Sequence, residues 1–369
     1  MQPIELLGSD VVFRNPKPYL RSLQARHPSL VVFDDGELLL GYDLGQSDES
    51  LDYATHRARS HDGGRTWQLE GPLLAPTIQP PTTNSLRLSQ AGGEVVAFGN
   101  IHHRDRQDEG LVNRATLGFV STDLVLMRSQ DRGRTWSAAE SIVPPLQSPA
   151  WETCHHVVEL QSGRWLAPTS TWRGWNGEHP AGEQTVALIS DDRGRSWPRY
   201  GRIFDGRPSG LIHWEVSVVQ VADGPVVAVA WVHDPGTQTD HPNQFAISAD
   251  DGETFSEAES TALHGQTCKL LQLQDGRLLS VYRRLDRPGL WANLATLDMG
   301  RWRNLAEVAV WQGEGAAVAR ADNSADALAA LRFGYPSPRQ LADGQVLVVF
   351  WCVEACQSVI RLARLRVNE

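Results

Sequence analysis

An octapeptide returns four times along this 369-residue chain with its polar positions in register. It reads Ser60-His61-Asp62-Gly63-Gly64-Arg65-Thr66-Trp67, and then Ser129-Gln130-Asp131-Arg132-Gly133-Arg134-Thr135-Trp136. It comes back as Ser190 to Trp197 around Asp192 and Gly194, and more loosely as Ser248 to Phe255 around Asp250 and Gly252. The four aspartates, 62, 131, 192 and 250, are separated by 69, 61 and 58 residues, so one structural unit recurs. A repeat of this kind constrains the architecture before any single residue is considered. Within each copy the Asp side chain is expected to accept bonds from backbone amides one or two residues on. The Gly supplies a positive-φ position, and the closing aromatic plugs the hairpin onto apolar neighbours.

A second repeat gives the count. Short apolar runs meet at tight turns around Gly36, Gly93, Gly163, Gly224, Gly276 and Gly344, as in Leu30-Val-Val-Phe-Asp-Asp35-Gly36-Glu-Leu-Leu-Leu. Gly-containing turns between strand-like runs, most of them Asp-Gly, mark β-hairpins. Six such hairpins, four followed by an octapeptide hairpin, predict an all-β chain of six four-stranded antiparallel blades, a β-propeller. The run Val359 to Val367 reads as a last strand, with Ile4 to Leu7 and Asp10 to Phe13 available beside it. That pairing would close the ring and remove its open edge. No linker interrupts the period, so residues 1–369 are expected to form one domain. The Ala-rich stretch Ala316 to Leu331 is expected to hold a short helix before the last blade.

Composition excludes some partners. A formal charge of −10 with no Lys/Arg run argues against a nucleic-acid surface. Lys17 and Lys269 are the only lysines, so cationic chemistry falls to arginine, which suits planar anionic partners. No stretch is apolar for long enough to span a bilayer, and no basic-then-apolar leader is seen, so a cytoplasmic protein is expected, with a secreted mature form as the alternative. Cys154, Cys268, Cys352 and Cys356 match neither a zinc-finger spacing nor a disulfide framework, although Cys352 and Cys356 could face each other across a blade-six loop. Oligomeric state is not legible.

Topology then locates a site. If the octapeptide hairpins join strands three and four of each blade, they share one face. Residues just before each inner hairpin, and just after its second strand, converge on the other face around the central channel. Those positions carry Arg26-His27-Pro28, Asp43 to Asp48, Asn100 to His103, Trp151, Glu152, His155, His156 and Trp172-Arg173. They continue with Trp214-Glu215, His233-Asp234, Tyr282-Arg283-Arg284 and Tyr335-Pro336 with Glu354. Charged, polar and aromatic residues crowd places where a purely structural ring could carry small or apolar ones.

The octapeptide resembles the Asp-box, Ser-x-Asp-x-Gly-x-Ser/Thr-Trp/Phe, of sialidases and other propeller proteins. Arg26-His27-Pro28-Ser29-Leu30 resembles the Arg-Ile-Pro segment near the start of sialidases, whose Arg grips the substrate carboxylate, a task that suits a guanidinium fork. Asp48 falls in the loop where that family keeps its acid/base Asp, with Asp52 as a second choice. Glu215, in Trp214-Glu215-Val-Ser-Val-Val-Gln, resembles the Glu that pairs with the nucleophile. Tyr335, in Gly334-Tyr335-Pro-Ser-Pro-Arg, stands where the family places its Tyr nucleophile. A phenol with a pKa of about 10 needs an adjacent base, and the resemblance implies that Glu215 supplies it. Tyr is the recognised sialidase replacement for the second carboxylate of glycosidases.

The resemblance therefore implies a retaining exo-glycoside hydrolase that removes a terminal acidic sugar, with Tyr335, Glu215 and Asp48 catalytic. Substrate-binding residues expected around them are Arg26, Arg283, Arg284, Asp43, His102, His155, Trp172, Trp214 and His233. No cofactor or metal is implied, and the partner is a glycan or oligosaccharide. Two departures bear on the sugar. Where the family has a second carboxylate-binding Arg after Glu215, this chain has Trp231-Val232-His233-Asp234. Tyr42-Asp43 replaces a further Arg beside the acid/base loop. A uronate or deoxy sugar fits the incomplete clamp as well as a sialic acid does.

Other readings stand beside this one. A polysaccharide lyase would use Arg26 or Arg283 to neutralise a uronate and Tyr335 or a His to remove a proton. A metal site could draw on His102, His103, His155 and His156, but neighbours on a strand face opposite ways, so one of each pair at most would reach a shared ion. A binding propeller without chemistry is the third reading.

Overall fold

The computed structural model describes residues 2–222, 224–313, 315–317, 326 and 330–368. It is a six-bladed β-propeller. Blade one is built from Gln24–Val32, Leu38–Gly45, Ala54–Ser60 and Gln68–Pro72, innermost strand first. Blade two runs Pro81–Ala91, Glu94–His103, Thr122–Ser129 and Glu140–Ser141. In blade three the innermost strand is split into Ala150–Glu152 and Val158–Glu159, followed by Trp165–Trp172, Gln184–Ser190 and Arg199–Asp205. Blade four is Ile212–Gln220, Val226–Asp234, Thr239–Ser248 and Glu259–Ser260. Blade five is Gly265–Gln272, Leu278–Arg284, Leu290–Asp298 and Arg301–Trp311.

Blade six closes the ring as expected. Phe333–Gln340, Val346–Glu354 and Gln357–Val367 come from the end of the chain, and Ile4–Arg14 pairs antiparallel with the last of them, Ile4 opposite Val367 and Arg14 opposite Val359. The middle strands are buried on both faces because each blade packs between two others. They therefore read as continuous apolar runs rather than alternating ones, Val226 to Val232 being wholly buried. The core lies between blades: Leu347, Val349, Ile360 and Leu362 of blade six pack on Leu30, Leu38 and Leu40 of blade one. The Ala-rich stretch expected to be helical falls largely outside the described residues.

The four octapeptides form matching hairpin tips between strands three and four. In the first, Thr66 donates from its backbone N at 2.9 Å and from its hydroxyl at 2.6 Å to Asp62. Arg65 N donates to the same carboxylate at 3.0 Å, so Asp62 ties amides three and four residues on, a wider loop than the one-or-two-residue turn expected. Ser60 Oγ accepts from Gly64 N at 2.8 Å and donates to Asp62 at 2.8 Å. Gly64 has φ +86°, and a Cβ there would meet Leu362 Cδ2 of the neighbouring blade at 2.5 Å. The motif thus fixes the tip and lets the next blade approach.

One irregularity recurs on the channel side. The innermost strands of blades one, four, five and six bulge between Arg26 and Ser29, Trp214 and Ser217, Gln266 and Lys269, and Gly334 and Ser337. The bulged residues are His27, Glu215, Thr267 and Tyr335, with φ of +48°, +54°, +53° and +51°. Each lies nine residues before the turn glycine of its own blade: 27 and 36, 215 and 224, 267 and 276, 335 and 344. The same count from Gly163 gives Cys154, at the break in blade three, and from Gly93 gives Asn84, in an unbroken strand. Bulges re-aim side chains, and left-handed non-Gly residues cost of order 1–3 kcal/mol each, so these four positions in register are strained points on the channel side.

Candidate active site

Strand direction puts the Asp-box tips and the inner hairpins on one face and the bulged residues toward the other, at the channel mouth. His27 and Tyr335, from adjacent blades, stand edge to face with ring centroids 4.8 Å apart. On the far side Thr267 donates to the Glu215 carboxylate, and Cys154 Sγ lies 3.8 Å from the same group. Glu152 accepts from Glu215 N at 3.4 Å, and its other carboxyl oxygen is buried without a partner. Burial, with the Glu215 charge adding to it, raises the Glu152 carboxyl above its ordinary range.

Tyr335 is held by a residue from blade two. Its hydroxyl accepts from Arg87 Nε at 2.9 Å, the Arg87 guanidinium lies 4.9 Å from the ring centroid, and Lys269 Nζ lies 4.8 Å from it. Burial pushes the phenol well above its ordinary pKa, and the Arg87 charge only partly offsets this. No direct hydrogen bond joins Tyr335 to Glu215 among the described contacts, so the base expected beside the phenol faces Thr267 instead.

Asp43 is the hub of a second network. It is fully buried and accepts from Thr55 at 2.6 Å, Ser85 at 2.6 Å and Tyr53 at 3.3 Å, with Arg87 3.1 Å away and His27 Nδ1 at 3.1 Å. Burial alone would raise this carboxyl, but Arg87 with the His27 and Ser85 contacts overrides it and holds it at about 2. Asp43 thus anchors Arg87 under Tyr335 rather than standing at the mouth as a sugar ligand. His102 hangs from the same region, 3.2 Å from Thr83 Oγ1, and burial lowers it to about 3.

Arg26 and Asp48 are brought together as a bidentate pair, Nε to Oδ1 at 2.6 Å with a second contact through Nη2. Arg26 also lies over the Trp351 ring at 3.9 Å. Arg283 is buried and donates to Gln266 at 2.9 Å, the Phe333 carbonyl at 2.9 Å and Thr267 at 3.2 Å, all neutral groups. Desolvation lowers its guanidinium to about 10. Arg284, the next residue on the same strand, points the other way onto Asp286 and Glu307 and is not part of the cluster. The alternation of a strand separates the two arginines.

Trp172, Trp214 and His233 gather at the ends of blades three and four. Trp214 stacks on His233 at 5.1 Å and 14°, and touches Trp172 at 5.6 Å. His233 Nδ1 and Trp231 Nε1 both contact Asp240 at 2.8 Å. Asp240 accepts from Gln266 at 2.8 Å, which carries the network on to Arg283. Only Trp172 of these rings is partly exposed. His155 lies deeper, in the channel wall, donating to the His156 carbonyl at 3.0 Å and accepting from Val218 N at 3.4 Å, so backbone occupies both ring nitrogens. Residues 153–157 are not strand, so the His155 and His156 rings stack at 4.1 Å instead of facing apart. Even so, no group of three or more metal-ligating side chains is found among the described residues. All four cysteines are free, Cys352 buried and Cys356 exposed.

Sequence reasoning missed Arg87, Thr267, Lys269 and Arg339. The nine-residue count back from each turn glycine would have found Thr267, as it finds Glu215 and Tyr335. Arg87, inside Leu86-Arg87-Leu88, carried only the signal of a charge in an otherwise apolar inner strand.

The fold and the mouth define a sialidase-like propeller. Residues 36–348 match the BNR repeat-like domain, and the chain belongs to that family. Among solved structures it is similar over its whole length to a protein of unknown function from Dyadobacter fermentans, at 21% identity and a TM-score of 0.74, covering all of that chain too. The NanB sialidase of Streptococcus pneumoniae aligns with all of this chain and 71% of its own, at 13% identity and a TM-score of 0.68. Trypanosoma rangeli sialidase, solved with the inhibitor DANA, aligns with 98% of this chain and 60% of its own, at 15% identity and a TM-score of 0.68. At such identities the likeness is one of fold. No curated protein sequence matches.

Proposed function

We propose that this protein is a retaining exo-glycoside hydrolase acting on a terminal acidic sugar. The observation that carries the reading is the set of left-handed bulges, which aim Tyr335 and Glu215 at one channel mouth from blades six and four. In this reading Tyr335 attacks the anomeric carbon and forms a glycosyl-enzyme that water later hydrolyses with retention of configuration. Arg26 is the receptor for the substrate carboxylate. In the resting protein Asp48 occupies its fork as the carboxylate, so an incoming carboxylate exchanges with Asp48, which, released from the guanidinium, takes up a proton from water and passes it to the leaving group. Arg87 and Lys269 steady the developing phenolate charge, and Glu215 takes the phenolic proton once substrate displaces its bond from Thr267.

One observation favours a second chemistry. Tyr335 is bonded by a cation and not by a carboxylate. In this chemistry the Arg87 cation favours the phenolate, which then removes a proton beside a uronate carboxylate, with Arg26 or Arg283 neutralising that group. Wild type and Tyr335→Phe, assayed on aryl sialosides and on uronate oligosaccharides, separate the two. Aryl alcohol released by wild type alone supports the hydrolase. An unsaturated uronate chromophore supports the lyase, and silence on both panels leaves a binding propeller.

A further inference from the structure

Beneath Tyr335 the channel narrows to a cavity of about 20 Å³, room for one water-sized occupant. Its lining includes Tyr335, Ser337, His155, His156, Lys269 and Arg339. Three cationic side chains line this space, and two of them, Lys269 and Arg339, form no ion pair with an acid among the described residues, whereas Arg87 has Asp43. Lys269 is buried, and its Nζ donates to two backbone carbonyls, Cys154 O at 2.5 Å and Glu215 O at 3.3 Å. Arg339 donates to the Pro338 carbonyl at 2.8 Å, and its other amino nitrogen lies 3.3 Å from His156 Nε2. Of the other buried or half-buried arginines near the channel, Arg87 has Asp43 and Arg26 has Asp48, while Arg283 and Arg104 rest on neutral acceptors but do not line this cavity.

The two histidines add no negative charge, and burial holds both well below their ordinary pKa, so they are neutral. Since His156 Nε2 accepts from Arg339, its Nδ1 carries the proton and is a donor. Desolvation lowers the Arg339 guanidinium to about 10. A chain with a net charge of −10 has therefore concentrated unpaired positive charge in a narrow lumen. Buried charge without a partner is costly, and a low-dielectric channel strengthens its pull on a counter-ion.

We propose that this cavity is an anion site that takes one monatomic halide, chloride in ordinary media, bound by Arg339 with His156 and Lys269 beside it. A space of this size suits a monatomic ion better than sulfate, phosphate or an organic carboxylate. The cavity shares Tyr335, Arg87 and Lys269 with the mouth above it, but binding of the ion is read without reference to any reaction there.

The test is thermal unfolding of the full chain in sodium chloride against sodium gluconate at equal ionic strength. Wild type should gain about 2 °C at chloride some tenfold above its dissociation constant, rising further with the logarithm of chloride. Arg339→Gln should show no difference between the two salts. An equal response of wild type and variant, or none in wild type, overturns the proposal. If Arg339→Gln does not fold, bromide-soaked crystals of wild type decide the matter. An anomalous peak between Arg339, His156 and Lys269 upholds the site, and a water there, with bromide ordered elsewhere on the surface, overturns it.

Discussion

Arg87 of blade two donates to the Tyr335 hydroxyl of blade six at 2.9 Å while its other end rests on Asp43 of blade one. Three blades thereby meet at one buried guanidinium. Removing either member of the Arg87–Asp43 pair leaves the other as an uncompensated buried charge. Arg87→Met and Asp43→Asn should each cost about 3 kcal/mol or more in urea unfolding. The double variant should cost less than the sum, and strict additivity would show that the two charges are not coupled.

Stability should fall as pH falls, through two windows that overlap between about pH 4 and pH 3. His102 has a folded pKa of about 3, below its unfolded value of about 6.5, so the unfolded chain binds a proton that the folded one refuses. Its contribution is present above pH 6.5 and is lost as pH falls toward 3. His102→Gln should flatten that part of the profile. Asp43, held at about 2 against about 3.9 unfolded, stabilises above pH 4 and loses its contribution between there and pH 2. Urea midpoints across this range check both, and an unchanged slope in His102→Gln would remove that residue from the account.

Turn glycines of equal φ should differ in sensitivity. Gly36 has φ +82°, and a methyl group added there would have nothing within 4 Å, whereas Gly64 has φ +86° and its methyl would meet Leu362 at 2.5 Å. Gly36→Ala should cost about 1 kcal/mol from backbone strain alone. Gly64→Ala adds overpacking against the next blade and should cost about 3 kcal/mol or more. Gly133→Ala, facing Leu39 at 2.4 Å, should follow Gly64.

Activity should separate the mouth from the scaffold. Tyr335→Phe loses one hydrogen bond, about 1 kcal/mol, and should fold while its turnover falls to background. Arg26→Lys keeps a charge but loses the fork, so KM for an acidic substrate should rise more than kcat falls. Asp48→Asn should recover turnover on substrates with a good leaving group, because these need no acid. Steady-state kinetics on aryl glycosides of graded leaving-group pKa reads all three.

The repeats made the ring legible in the sequence. Asp62, Asp131, Asp192 and Asp250 each close a hairpin by bonds reaching four residues ahead, so the fold's unit is written in local spacing. The six turn glycines and the pairing of Ile4–Arg14 with Gln357–Val367 follow from the same local grammar. Tyr335, Glu215, Arg26 and Asp48 were named from the segments around them that resemble sialidases, and Tyr335 and Glu215 also stand nine residues before their turn glycines.

What the tertiary structure alone decided is which side chains meet. Arg283 and Arg284 are neighbours in sequence, yet strand alternation sends one to the channel and the other to Glu307 at the outer edge of the blade. Arg87 lies 248 residues from Tyr335 and finds it only because the ring closes. Hairpins are specified by residues a few positions apart, whose contacts any chain with that spacing makes. A channel is specified by six strands brought together from across the whole chain, and the pairing of its charges, Arg87 on Asp43, Arg26 on Asp48 and Arg339 on no acid among the described residues, exists only after that closure.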